Sequence, residues 1–503
     1  MVEAKGLKLE QLSVERLTEE QKRQYEAVHA SPITVLQVGE GNFLRGFADW
    51  MLQASRERGL FQGSVAVTQP RPSGKHNIEQ LAAQDGLYTL VVRGLEDGQP
   101  VERHSIVSVF SKVFDPYENW REFIALASCE MLRFVISNTT EAGIAYKKEP
   151  LTYGPIASYP GKMAYLLYER YIKFQGAADK GIIFLPCELL ERNGDALRDH
   201  IVRYSLDWGF PDDFRRWIAS SCRFLNSLVD RIVTGYPAEE QAAEWFEQWS
   251  YSDRLLTTAE PYHLWAIEGE EELDDLLPLK KAGLNVHWTD DLRPYQQRKV
   301  RILNASHTWM APLGLLHGVS HVRELIEHPV LGQRVRAMVR AEIIPSIPYS
   351  PDEMNVYADT VFERFANPFI RHRLEDIAMN SLSKFKVRLL PTLSYYAELG
   401  QAIPEGLATG VAGLLRYYRI SHVNGQYEGR NLQGERYVVR DNAELLQQIA
   451  AIWANAEQKE QDLRTTVEQL LALETLWEQN LSSWPGLADA ICHWWTKAEG
   501  GEV

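Results

Sequence analysis

The chain has 503 residues and a formal net charge of −15, and 45% of its residues are hydrophobic. This length exceeds what one hydrophobic core usually supports, so at least two domains are expected. The acidic balance argues against nucleic-acid binding through a broad basic surface and against attraction to anionic membranes. The N-terminal segment is charged, no apolar run reaches about 18 residues, and the four cysteines lack metal-binding spacing. We therefore expect a cytoplasmic protein with reduced thiols, a monomer or small homo-oligomer, without nucleic-acid or membrane partners.

The first strongly patterned stretch predicts the opening unit of a dinucleotide-binding fold. Residues 33–38 are typical of a buried parallel strand, residues 39–42 of a tight turn, and residues 43–53 of a helix. The turn supplies the first two glycines of a G-x-G-x-x-G fingerprint, whereas Leu44 stands in the third position. The alternative is a strand-to-helix turn that binds nothing. The residues expected to contact the cofactor here are Gly39, Gly41, Asn42 and Phe43.

The second predicted strand, at residues 64–68, bears on the choice of cofactor. Dinucleotide-binding folds that use NAD often place an acidic residue at this point to hold the adenosine ribose, and none follows this strand. Gln69 is expected to bond the ribose instead. Arg71 or Lys75 could meet a 2′-phosphate, so the local sequence leaves NADP open.

Further strands complete the predicted sheet and the domain plan. Residues 133–137 form a buried strand, and Asn138 and Thr139 after it are expected to line the cofactor crevice; capping of a turn is the alternative. Beyond residue 290 the pattern becomes mostly helical. The predicted fold is α/β, with a Rossmann-type N-terminal domain with extra strands at residues 1–290. A mainly α-helical substrate and catalytic domain is predicted at residues 291–503.

Three polar residues near residue 300 suit proton transfer at a hydroxyl that becomes a carbonyl. Lys299, Asn304 and His307 share one predicted helix, where about 100° separates successive residues, so they can face one cleft. A lysine taken out of water has its pKa lowered and can serve as a base, while an amide and an imidazole can donate to a developing oxyanion. The alternative is a solvated lysine, a capping asparagine and a core histidine.

Two other polar patterns occur in the sequence. Asp230 precedes Arg231 at the end of an apolar run, and its carboxylate can orient a base or a substrate hydroxyl; an Asp–Arg pair holding a loop is the alternative. His317 and His321 are four residues apart without a third ligand in a metal-binding pattern, so no metal is expected.

Several of these segments occur together as known motifs. They are G-x-G-x-F at residues 39–43, DGLYTL at 85–90, SNTTEAG at 137–143, VDRI at 229–232 and K-x-R-x-L-N-x-x-H at 299–307. In this combination the chain resembles the polyol-specific long-chain dehydrogenase/reductase family, which includes mannitol dehydrogenases and uronate reductases. The resemblance implies Lys299 as general base and Asn304 with His307 as the pair that polarises the reacting oxygen. It also implies a second amide near Cys187, where Asn193 is the local candidate.

The resemblance also implies cofactor and substrate. NAD is expected, with a ketouronate reduced to an aldonate: D-tagaturonate to D-altronate, or fructuronate or a neutral polyol as alternatives. A nucleotide-binding regulatory protein is the non-enzymatic alternative. Asp230, Lys384 and Arg373 are expected to bind the substrate, the two cations through its carboxylate or hydroxyls. The alternative for the cations is a solvated basic face paired with Glu363, Glu375 and Asp376.

Overall fold

The computed structural model describes residues 9–152 and 154–500. The chain divides into two compact units. The first comprises Met1–Arg93 and Pro100–Leu292, and the second comprises Gly94–Gln99 and Arg293–Val503. No helix in the described ranges is long and apolar enough to cross a membrane.

A parallel sheet forms the centre of the first unit. Its strands run in the order β5-β2-β1-β6-β7-β8, and every neighbouring pair is parallel. The strands are β1 (Ile33–Val38), β2 (Ser64–Thr68), β5 (Phe110–Val113), β6 (Phe134–Ser137), β7 (Ile183–Pro186) and β8 (Arg223–Phe224). Val35 of β1 packs in one hydrophobic cluster and Leu36 in another, so both faces of the sheet are covered, which explains the continuous apolar run.

Two smaller sheets accompany the parallel sheet. One has the order β10-β11-β3-β4 and the other β13-β12-β9. Their strands are β3 (Tyr88–Glu96), β4 (Gln99–Val107), β9 (Ser227–Asp230), β10 (Val233–Gly235), β11 (Thr257–Ala259), β12 (Leu264–Glu268) and β13 (Val286–Thr289). The helices of this unit are α1 (Glu19–Ala30), α2 (Asn42–Arg45), α3 (Ala48–Glu57), α4 (Lys75–Ala83), α5 (Trp120–Ala125), α6 (Glu141–Ile144), α7 (Tyr159–Lys173), α8 (Asn193–Asp207), α9 (Asp212–Ser221) and α10 (Glu239–Trp249).

The predicted helix at residues 43–53 is wrong as a single element, because the chain breaks between α2 and α3 at Gly46 and Phe47. The Arg231 guanidinium donates to the Gly46 carbonyl at 2.7 Å, which removes that oxygen from helical bonding. Gly46 also lies against Val233, where a Cβ would come within 2.7 Å of a γ-carbon. The break is therefore set by β10 and the residues before it, far along the chain.

The second unit is mainly helical, as predicted. It contains α11 (Arg293–Arg298), α12 (Ala305–Leu316), α13 (Val322–Glu327), α14 (Leu331–Met338), α15 (Pro351–Phe365), α16 (Leu374–Ala378), α17 (Ser381–Arg388), α18 (Leu390–Glu398), α19 (Glu405–Tyr417), α20 (Ala443–Gln458), α21 (Leu463–Leu471), α22 (Glu474–Trp477) and α23 (Leu487–Glu499). Two π-helical stretches occur at Lys299–Asn304 and Val339–Ile343. An antiparallel sheet that the sequence did not predict consists of β14 (Ile420–Val423), β15 (Gln426–Arg430) and β16 (Arg436–Val439).

Helix α12 forms the centre of this unit, and almost all of its residues are buried. It packs closely on α19 because glycines there leave room for its side chains. A Cβ at Gly410 would lie 2.6 Å from Trp309, and one at Gly413 would lie 2.4 Å from Leu313. The Trp309 indole N–H also donates to the Gly406 carbonyl at 2.8 Å. The helix that carries His307 is thus held rigidly.

Candidate active site

The first turn of the parallel sheet leaves the backbone open where a dinucleotide fold holds its pyrophosphate. Gly39 has a φ of +133°, and its amide donates to the Thr68 carbonyl at 2.9 Å. A Cβ on Gly39 would lie 2.9 Å from the Asn138 carbonyl oxygen, so only glycine allows the ends of β1 and β6 to come this close. A Cβ on Gly41, directly before α2, would meet nothing within 4 Å. Asn42 is exposed beside it and Phe43 half-buried.

Arg45 holds this turn through hydrogen bonds to two of its residues, and it was not predicted from the sequence. Its buried guanidinium donates to the Glu40 carbonyl and, at 2.7 Å, to Asn42 Oδ1. The Tyr88 hydroxyl in turn donates to the Arg45 carbonyl at 2.8 Å. Asp49 lies nearby, and burial raises its pKa to about 8. The sequence contains a signal for this pair, because Arg45 and Asp49 lie four residues apart within a mostly apolar stretch.

Two polar side chains meet at the carboxyl end of β2. Gln69 is fully buried, and neither its Nε2 nor its Oε1 has a hydrogen-bond partner. Glu40 reaches the same place from the first turn and is 8% exposed. Burial raises the pKa of the Glu40 carboxyl. An orphaned amide beside a carboxyl fits a group rich in hydroxyls, such as the ribose of a dinucleotide.

Asn138 and Thr139 connect the ends of β6 and β7. Asn138 Nδ2 donates to the Cys187 carbonyl at 3.3 Å. The amide and hydroxyl of Thr139 donate to Glu188 Oε1 at 2.8 and 3.0 Å. Both predicted residues therefore lie at the carboxyl end of the sheet, where a cofactor contact is expected, but their side chains bond to Cys187 and Glu188, directly after β7. Glu188, whose pKa is raised by burial, was not singled out from the sequence.

Asn193 does not suit the oxyanion role that the resemblance suggested. Its Nδ2 donates to the carbonyls of Pro186, Glu188 and Ser227 at 3.0–3.1 Å. Its Oδ1 accepts from the amides of Gly194 and Ser227, both at 2.9 Å. Because the amide is 1% exposed and fully bonded, we withdraw Asn193 from the catalytic set and assign it to joining β7, α8 and β9. Asp230, also predicted, is buried at the end of β9 in this unit.

The K-x-R-x-L-N stretch in the second unit is π-helical, which corrects the predicted geometry. The Ala305 amide donates to the Val300 carbonyl five residues back, so a spacing of about 100° per residue does not hold between Lys299 and Asn304. Arg301 fixes the stretch in place by donating to Ser346 Oγ at 2.8 Å and to Thr392 Oγ1 at 2.6 Å. Single π-helical turns inside α-helices occur frequently at functional sites.

His307 is the most enclosed of the three predicted catalytic residues. Lys299 and Asn304 are half-buried, whereas His307 is 8% exposed and its Nε2 has no hydrogen-bond partner. Burial lowers the pKa of His307 well below its usual value, and the neighbouring His372 lowers it further. The rings of His307 and His372 lie 4.7 Å apart. The imidazole is therefore neutral near pH 7 and keeps one nitrogen available for a ligand.

The positive charges of three further side chains also lower the pKa of His307, namely those of Arg364, Lys384 and Arg388. With His372 they form the basic cluster, which α15, α17 and the segment before α16 contribute. Arg388 donates to the Thr308 hydroxyl at 3.1 Å, and Lys384 Nζ donates to the Ile377 carbonyl at 2.8 Å. Burial lowers the pKa of both Lys384 and Arg388.

Arg373, which the sequence also suggested, is arranged differently. Its side chain is 55% exposed and forms an ion pair with Glu375. Sequence reasoning singled out Lys384 but not Arg364 within the same basic stretch. The signal that could have found Arg364 is its position on the apolar side of α15, where Val361 and Phe365 are buried as well.

Comparison with known proteins gives the same two-part organisation. The family model of the mannitol dehydrogenase Rossmann domain matches residues 33–281, and that of the mannitol dehydrogenase C-terminal domain matches residues 291–498. Altronate oxidoreductase of Bacillus subtilis (strain 168) is 40% identical over 471 residues, covering 93% of each chain. Altronate oxidoreductase of Klebsiella pneumoniae (strain 342) is 39% identical over 462 residues, covering 92% of this chain and 93% of its own.

Solved structures share the fold at low sequence identity. Pseudomonas fluorescens mannitol 2-dehydrogenase, in a ternary complex with NAD and D-mannitol, has a TM-score of 0.63 at 20% identity and covers 94% of this chain and 93% of its own. Substrate-free D-sorbitol dehydrogenase has a TM-score of 0.71 at 21% identity and covers 92% and 96%. The two family models follow one another along the chain, and the altronate oxidoreductases align with more than nine-tenths of it. The chain therefore belongs to the mannitol dehydrogenase family.

Proposed function

We propose that the chain is a nicotinamide-dependent oxidoreductase that interconverts D-tagaturonate and D-altronate. The relatives named altronate oxidoreductase cover more than nine-tenths of the chain and support this substrate pair. NAD is the cofactor we expect, since a dinucleotide-binding turn is present and the structural neighbour mannitol 2-dehydrogenase was solved with NAD. We expect an enzyme of sugar-acid metabolism in the cytoplasm, as a monomer or small homo-oligomer.

The basic cluster around His307 is the observation that carries the proposal. A carboxylate that leaves water for an enclosed site needs a paired cation or several donors, or else desolvation opposes its binding. Arg364, Lys384 and Arg388 place three cations near the imidazole, more than a neutral polyol requires. An arginine in particular can bond a carboxylate through two parallel N–H groups.

In the reductive direction the bound nicotinamide supplies a hydride to the keto carbon. The protein side chains stabilise the negative charge that then develops on the carbonyl oxygen. Neutral His307 and the Asn304 amide can each donate a hydrogen bond to that oxygen, which stabilises it most when it is negative. The Lys299 ammonium gives the oxygen a proton, and the sequence of steps runs backwards for oxidation of the alcohol.

The residues of the first unit that would hold the dinucleotide are those of the open turn and of the end of β2. The backbone around Gly39 and Gly41 suits the pyrophosphate, and the orphaned Gln69 amide suits a ribose hydroxyl. Fructuronate and neutral polyols are the alternative substrates within this chemistry. A regulatory protein that only binds nucleotide would have no use for Lys299 beside Asn304 and His307.

Purified protein assayed with NADH and NADPH against D-tagaturonate, D-fructuronate, D-fructose and D-tagatose tests the proposal. We expect the highest kcat/KM with D-tagaturonate, and D-altronate as the product by chromatography. Lys299→Ala protein prepared in parallel should be nearly inactive, which excludes a contaminating reductase. Higher kcat/KM with fructuronate or with either ketohexose would assign a different substrate, and no turnover of any compound would favour the regulatory alternative.

A further inference from the structure

The carboxylate that selects NADH is expected at the end of the second strand of a dinucleotide-binding fold, and this chain has Gln69 there. The structure instead brings a carboxylate to that point from the first turn. We propose that Glu40 holds the adenosine ribose of NADH and disfavours the 2′-phosphate of NADPH. This inference rests on the proposed use of a nicotinamide dinucleotide and assigns the residue that chooses between its two forms.

Gly74 shows how close the two side chains lie. A Cβ at this position would come within 2.5 Å of Glu40 Oε1 and within 2.6 Å of Gln69 Cβ. The carboxylate and the start of the glutamine side chain therefore occupy the same small space at the carboxyl end of β2. Asn77 Nδ2, at the start of α4, donates to Glu40 Oε1 over a long 3.5 Å. Such a weak bond can be exchanged for one from a ribose hydroxyl.

The unpartnered Gln69 amide indicates that this place is built for a ligand. Its side chain is 0% exposed, and both its nitrogen and its oxygen lack partners. Burying a polar group without a partner opposes folding, so a purely structural glutamine here would be unfavourable. Hydroxyl groups of a ribose can act both as donor and as acceptor, which is what an orphaned amide needs.

The nearby cations do not favour NADPH strongly enough to reverse this choice. Lys75 is engaged in ion pairs with Glu118 and, at 3.6 Å, with Glu79. Arg71 acts on Glu40 electrostatically, but its side chain is exposed and its charge is screened by water. A 2′-phosphate beside Glu40 would place like charges together in a partly buried site, where their repulsion opposes binding.

Equilibrium titration of the purified protein with NADH and with NADPH, followed by nicotinamide fluorescence, tests this without any sugar substrate. We expect wild-type protein to bind NADH at least about tenfold more tightly, because of that repulsion. Glu40→Gln keeps the shape and removes the charge, so it should weaken NADH binding, strengthen NADPH binding and reduce the ratio of the two Kd values by about tenfold or more. Glu26→Gln, which neutralises an exposed carboxylate on α1, is the matched control and should leave the ratio unchanged.

Two further variants separate the carboxylate from its surroundings. Gly74→Ala introduces a Cβ against Glu40 and should weaken NADH binding while the charge is kept. Arg71→Gln should leave NADH binding unchanged and weaken NADPH binding. The inference is overturned if wild-type protein binds NADPH as tightly as NADH, or if Glu40→Gln leaves the Kd ratio unchanged. The proposed substrate is tested separately, because dinucleotide selection is measured in the absence of sugar acids.

Discussion

The buried Lys162 Nζ lies 2.9 Å from the carbonyl oxygen of Pro70, the residue that directly follows Gln69. The same ammonium group donates to the Tyr117 hydroxyl at 2.7 Å and to the Ala157 carbonyl at 3.1 Å. Lys162 thus fixes the chain just beyond β2, where the ribose is expected. Burial lowers the pKa of Lys162 to about 7.

This lysine gives the stability of the protein a defined dependence on pH. Its pKa is about 7 in the folded protein and near 10.5 in the unfolded chain, so the unfolded chain binds more protons between these values. Raising the pH from 7 to 9 should therefore increase the free energy of unfolding relative to Lys162→Met, by about 2 kcal/mol. Urea unfolding of both proteins at the two pH values measures this. The methionine variant should be less stable at both, and a difference that stays constant would contradict the buried titration.

Replacing the proposed acid–base group should affect turnover and leave cofactor binding unchanged. Lys299→Ala should lower kcat by about 10²–10⁴-fold, as loss of a general acid–base group usually does, while the Kd for NADH stays the same. Lys299→Arg is the matched variant, since it keeps the positive charge but does not give up a proton near neutral pH. It should be almost as inactive as the alanine variant. A kcat above about a tenth of the wild-type value in either variant would remove Lys299 from the mechanism.

The neutral state of His307 should appear in the pH profile. Because burial and the neighbouring cations hold its pKa well below 6.5, the imidazole stays neutral as the pH falls through 6.5. The acid limb of kcat/KM that reports His307 should therefore lie below pH 6.5. His307→Asn should lower kcat by about 10²–10³-fold, the usual cost of removing an oxyanion donor. His317→Asn, at the C-cap of the same helix and bonded to the Leu313 carbonyl, should retain activity. An acid limb at or above pH 6.5 that disappears in His307→Asn would show a charged imidazole.

The basic cluster should discriminate between sugar acids and neutral sugars. Lys384→Ala and Arg388→Ala should each raise the KM for D-tagaturonate much more than the KM for D-tagatose, since only the former has a carboxylate to pair. Lys386→Ala is the matched control, because this lysine is two residues from Lys384 and forms its ion pair with Glu478 at 2.6 Å. Arg373→Ala should also have little effect, given its exposed pair with Glu375. Equal losses on both sugars would mean that the cluster holds the polyol chain or the helix instead.

Local patterns predicted the parts of the fold that local interactions determine. The strands at residues 33–38 and 64–68 have the predicted bounds, because a short apolar run between turn residues is buried on both faces of a parallel sheet. The glycine turn after the first strand and the helical second unit were also predicted correctly. The break at Gly46 was not predicted, because it depends on a hydrogen bond to the Gly46 carbonyl from Arg231, which is 185 residues away.

The sequence could propose residue types for the candidate site, but it could not predict the contacts of those residues. The sequence places Lys299, Asn304 and His307 together, but the π-helical bonding between them depends on how Arg301 is anchored in the fold. Asn193 appears available in the sequence, yet its amide bonds to backbone groups of Pro186 and Glu188 before it and of Ser227 on β9 after it. Glu40 is separated from Gln69 by a whole strand–helix unit, so their proximity exists only in three dimensions.

The π-helical stretch restricts how the length of this part of the chain can change. In an α-helix one residue adds about 100° of rotation and 1.5 Å of rise, and a π-helical turn holds one residue more than its α-helical counterpart. Deleting a residue between Lys299 and Asn304 would let the stretch close into ordinary α-helix, which removes the widened turn and redirects the side chains within it, with little change in composition. Among homologues that share this activity, gaps are therefore expected in surface loops such as residues 400–404, and the eight-residue spacing from the lysine to the histidine is expected to be fixed.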